Sequence, residues 1–201
     1  MNIFNHHLKV FLQVSLIVFF AYFFQNTLWT LDLMGSNIWN ITVGASMYFP
    51  LGSFILVTLL YREKAIIGLF SICFLAGLYY KLEEHLLYIF TLINVFGPYL
   101  SIRFLEGFRM GFFKKFPNEY HLGELVMLCL TASIFNTLGK FFVYYYDPEK
   151  SHQVGRIWED QGSINFLTSY LPGDLTGSII FIFIALGVAK VLNLRQLYIE
   201  N

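Results

Sequence analysis

Long apolar stretches alternate with short polar turns along almost the whole chain, at residues 8–30, 41–61, 64–81, 85–105, 122–146 and 163–193. Each is long enough to carry an α-helix across a hydrocarbon layer of roughly 30 Å at about 1.5 Å per residue. The pattern predicts an all-α, polytopic integral membrane bundle of about six transmembrane helices, forming a single domain over residues 1–201. The first run follows His6, His7 and Lys9 and exceeds the apolar core of a signal peptide, so it reads as a retained span.

The connections carry a charge asymmetry. Lys9, Arg62, Lys64, Arg103, Arg109, Lys114, Lys115, Lys190 and Arg195 fall on one side when alternate loops are counted, and Lys81, Lys150 and Arg156 on the other. By the positive-inside rule both termini are cytoplasmic, in what reads as a bacterial inner membrane. Segment 106–121 mixes Phe108, Met110, Phe112, Phe113 and Phe116 with its cations, as an amphipathic stretch on the cytoplasmic leaflet does. It is also where a partner protein could dock. No soluble output domain is expected after the last span, so anything bound is expected to be reported through contacts with another chain, or to act within the membrane.

Composition agrees with a lipid solvent. The chain is 57% hydrophobic and 13% charged, with zero formal net charge and no long basic run, which argues against nucleic acid as a partner. Phe and Tyr are abundant, and bilayer interfaces explain them without a cofactor. Cys73 and Cys129 fall inside expected spans and read as inert buried thiols. His85, His121 and His152 lie in different loops, and His6-His7 reads as a polar flank, so no metal site is expected. Asn40-Ile41-Thr42 matches a glycosylation acceptor, a pattern common by chance. No nucleophile elbow or phosphate loop is present, and the chain is not expected to be an enzyme.

The candidate site lies on the last spans. In Tyr170-Leu171-Pro172-Gly173-Asp174-Leu175-Thr176-Gly177, Pro172 and Gly173 disfavour a continuous helix, and Asp174 could cap a new one. Were 163–193 one kinked helix instead, Asp174 would lie deeper and need a partner. Lys140 is the natural candidate. Ser133, Asn136, Thr137 and Lys140 recur at spacings of three and four and so share a helical face that should point inward. Asn94, Gly97 and Ser101 form a weaker stripe of the same kind. Two readings fit: helix packing, to which the small-xxx-small pair Gly173 and Gly177 would contribute, and a ligand pocket with Asp174 and Lys140 as charged determinants.

Tyr48-Phe49-Pro50-Leu51-Gly52, followed by a basic turn and Gly68, together with Gly173-Asp174-x-x-Gly177, resembles the bacterial membrane-associated sensor domains of the first MASE type. Phe49 stands where that family usually has Trp, and the expected spans are fewer than is usual for it. The resemblance implies a sensory or binding role in signal transduction, with Asp174 as the polar position carried over and Pro50 and Gly52 at a helix entry. Uptake of a small molecule, as the substrate-binding membrane component of a transporter, and a structural role in a larger complex are the alternatives.

Overall fold

A backbone surrounded by hydrocarbon can satisfy its N–H and C=O groups only within its own segment, and the apolar runs accordingly coil into α-helices. The computed structural model describes residues 2–30, 47–108, 110–112, 120–146 and 162–191. In chain order these form α1 (Asn2–Thr30), α2 (Phe49–Tyr61), a 3-10 turn (Arg62–Lys64), α3 (Ala65–Tyr79), α4 (Glu84–Gly107), α5 (Leu122–Tyr146) and α6 (Gly162–Val191). Among the described residues there is no strand.

Among the described residues four helices are long and apolar enough to cross a membrane: α1 over Asn5–Leu28, α4 over Glu84–Gly107, α5 over Leu122–Tyr146 and α6 over Phe166–Lys190. The expected spans at 41–61 and 64–81 shrink to α2, with 13 residues, and α3, with 15. At about 1.5 Å per residue these reach about 20 and 22 Å, short of a typical hydrocarbon core. Residues 41–46 of the second expected span lie outside the described residues.

α2 is the hub of the bundle. Every residue from Phe49 to Leu59 is buried, and the helix packs against α6, α1, α4, α3 and α5. A helix that is apolar all round has this place open to it, since no face needs water. The outer helices are apolar on both faces for a different reason. On α1, Val10, Val14, Val18 and Ala21 face inward, while Leu12, Leu16, Phe19 and Phe23 are more than half exposed. Such an outer face suits a lipid solvent and would be an aggregation liability in water.

The polar turns sort to the two ends. Lys64 Nζ lies 2.9 Å from His6 Nε2, and Arg103 pairs with Glu63 at 3.2 Å and Glu106 at 3.0 Å. The start of α1, the turn between α2 and α3 and the end of α4 therefore meet at one end. The start of α2 and the end of α3 lie at the other, where Tyr22 of α1 packs beside Tyr80.

Part of segment 106–121 departs from its expected surface position. Phe112 and Tyr120 are buried, their rings pack 5.4 Å apart, and the Tyr120 hydroxyl donates to the Phe112 carbonyl. Met110 also packs against the core. These side chains are apolar enough to be drawn into the core, whereas Phe108 stays exposed. Arg109, Phe113, Lys114, Lys115 and Phe116 lie outside the described residues, as do Asn40-Ile41-Thr42 and 147–161.

Candidate functional site

The two stretches singled out by their Pro and Gly residues pack against each other. Tyr48, just before α2, donates its backbone N–H to the carbonyl of Gly173 on α6 at 2.9 Å. A Cβ at Gly177 would collide with the Tyr48 backbone, so glycine is what lets the chain approach. A Cβ at Gly52 would lie 2.7 Å from Phe181 Cβ and 2.9 Å from Ser178 Cα. Gly173, Gly177 and Ser178 are buried in the same contact. Pro50 opens α2 where its missing N–H is harmless, and Phe49 N–H is taken by Gln25 Oε1 of α1 at 3.0 Å.

Close packing at Gly173 and Gly177 sets Asp174 inside the bundle. The break expected at Pro172-Gly173 does not occur: α6 runs unbroken through both, with Pro172 on its outer side. Neighbouring helices hold the segment helical despite the lost N–H, so Asp174 is a mid-helix residue and not a cap. It is 2% exposed. Its Oδ2 accepts from Asn136 Nδ2 at 2.7 Å and from Thr137 Oγ1 at 3.3 Å. Ser178 Oγ binds the Asp174 carbonyl at 2.7 Å.

Lys140 is not the direct partner of that carboxylate. Its ammonium lies 4.7 Å from the Tyr48 ring centroid and 5.8 Å from that of Tyr170, and it makes no hydrogen bond or ion pair with the described residues. Lys140 is one helical turn beyond Asn136, and the two rings intercept it before it reaches Oδ2. The carboxylate and the ammonium still attract each other across the gap. Tyr170 is stacked on Phe166 at 4.3 Å.

The face of α5 formed by Ser133, Asn136 and Thr137 is fully buried, and Lys140 at its far end is partly so. Asn94 of α4 is buried too. Hydrogen-bonding capacity remains: Asn136 Oδ1, Ser133 Oγ and Asn94 Oδ1 are buried without a partner among the described residues. Asp174 Oδ1 takes no part in the bonds to Asn136 and Thr137.

Tyr48, Tyr170 and Gln25 belong to this centre although their chemistry was not apparent from the sequence. Gln25 carried a signal, since it continues the inward series Val10, Val14, Val18, Ala21 at helical spacing. Cys73 and Cys129 are buried free thiols, and among the described residues no three His, Cys, Asp or Glu side chains gather as a metal site would require. Comparison with protein-family models, curated proteins and solved structures finds no match for the chain.

Proposed function

We propose that this is an integral membrane binding module whose polar centre, around Asp174 and Lys140, holds a small ligand and performs no chemistry. One observation carries the reading. A buried carboxylate and a partly buried ammonium lie along a face of α5 on which Asn136 Oδ1 and Ser133 Oγ have no hydrogen-bond partner among the described residues. Each buried unsatisfied group costs about 1–3 kcal/mol, and ionisable residues within a membrane are retained for what they do. A second molecule in the centre would recover that cost.

The centre lies at the end of the bundle opposite His6, Lys64 and Arg103. With about six crossings and both termini in the cytoplasm of a bacterial inner membrane, that end faces outward. The MASE-type resemblance would make the ligand a signal, with a partner protein at the 106–121 end as the route of output. Uptake of the same ligand is the transport form of this proposal.

The close Gly52 and Gly177 contacts favour a second reading, in which the polar groups merely fix helix packing within a larger complex. The double variant Asp174→Asn/Lys140→Met separates the two. Replacing a buried charge pair by neutral groups of similar volume is often neutral or stabilising by about 1–4 kcal/mol. For a binding site, the detergent-solubilised variant should melt at or above the wild-type temperature. A fall of several degrees would assign the charges to packing and overturn the binding reading.

A further inference from the structure

Resting on that binding reading, we infer that the ligand is a small zwitterion with a primary ammonium and an anionic oxygen group a few ångströms apart, as in a free amino acid. Its ammonium is taken by Asp174 Oδ1 and Asn136 Oδ1, and its carboxylate by Lys140 Nζ.

The polar groups of the centre are segregated by type. Asp174 Oδ1 and Asn136 Oδ1 are acceptors only, and Asn136 Oδ1 is orphaned in a side chain that is 0% exposed. The Asn136 amide is pinned at Asp174 by its Nδ2, which fixes where Oδ1 sits. Lys140 offers three donors that no described residue accepts. Four residues on one helix separate Asn136 from Lys140, an offset of about 6 Å along the axis. A guest bridging the two residues would meet acceptors at one end and donors at the other.

Charge balance points the same way. Asp174 and Lys140 together are neutral, and a ligand with one charge would bury a net charge where water is scarce. A zwitterion keeps the sum at zero while supplying each residue with the hydrogen-bonded counter-charge it lacks. The tightness of the centre, with Asp174 2% exposed, restricts the guest to a small one. Tyr48, Tyr170 and Lys140 are only partly buried and form the way in.

Two sources carry this chemistry: free amino acids and the phosphoethanolamine headgroup of a lipid. The test is a thermal melt of the full chain in phosphatidylcholine nanodiscs, which lack a primary ammonium. Glycine, β-alanine and γ-aminobutyric acid are added singly, beside propylamine and propionate. At least one of the three zwitterions should raise the midpoint, by roughly 5 °C at a hundredfold excess over its dissociation constant. The rise should vanish in Asp174→Asn/Lys140→Met. A rise produced only by including phosphatidylethanolamine in the nanodisc keeps the zwitterion and assigns it to lipid. A rise with propylamine or propionate equal to that with the amino acids overturns the zwitterion while leaving the binding reading standing. No rise with any of them overturns it as well, and the intrinsic melting point of the double variant then decides whether the binding reading falls too.

Discussion

At the residue scale the molecule depends on where a side chain is absent. Gly177 admits the Tyr48 backbone, whereas nothing lies within 4 Å of a Cβ placed on Gly187 of the same helix. Gly177→Ala should therefore lower the melting temperature sharply, by an overpacking cost of about 1–3 kcal/mol or more. Gly187→Ala should leave it unchanged or raise it by the helix-propensity gain of about 0.5–1 kcal/mol. Detergent-based fluorescence melts of the two variants check both. The polar residues form a second such comparison. Asn136→Ala removes the shorter bond to Asp174 and Thr137→Ala the longer, so the first should cost more, within the range of about 1.5–3 kcal/mol for hydrogen bonds to charged groups. The inward turn of Ser133, Asn136, Thr137 and Lys140 was legible in their spacing alone, because helical periodicity fixes a shared face. Which of them meets Asp174 was not, because spacing on α5 says nothing about its vertical register against α6.

At the element scale, α2 begins without a cap of its own. Its Ncap residue contributes no side-chain bond, and the exposed donors of its first turn are met from outside: Tyr48 N–H by Gly173 of α6 and Phe49 N–H by Gln25 of α1. Neighbouring helices thus do for this buried helix start what water does for one at a surface. Gln25→Leu keeps the volume and orphans the Phe49 N–H, at an expected cost of about 1–3 kcal/mol, read as a lower melting midpoint in detergent. The contrast with α6 is instructive. Pro172 and Gly173 read as a break because in water such a pair ends most helices, yet α6 continues because α2 and α5 pack along it and Pro172 turns outward. Local propensity was visible in the sequence; the packing that overrides it was not. The helices found within 41–61 and 64–81 are shorter than the expected spans for a related reason. Apolar composition marks burial, and α2 is buried in protein and not in lipid.

At the scale of the whole molecule, two glutamates report the proposed orientation. Glu63 sits in the turn joining α2 to α3, at the end shared with His6 and Arg103, and Glu83 just precedes α4 at the other end of α3. The two are separated by the 15 residues of α3, about 22 Å of helix. That falls short of a full hydrocarbon core, but flanking polar side chains can reach the interfaces and the bilayer can thin at modest cost. In the proposed orientation Glu63 would face the cytoplasm and Glu83 the outside. Cys73 and Cys129 are buried, so a charged, membrane-impermeant maleimide finds no background thiol among them. The pair of Glu63 with Arg103 is exposed and worth at most about 1 kcal/mol, so Glu63→Cys should fold. Added to intact cells, the reagent should label Glu83→Cys and leave Glu63→Cys untouched until the cells are broken. Labelling of Glu63→Cys alone from outside would invert the molecule and turn the polar centre toward the cytoplasm. Labelling of both from outside would mean that α2 and α3 do not separate the two aqueous phases, leaving α1, α4, α5 and α6 as the crossings and α2 as a plug held among them.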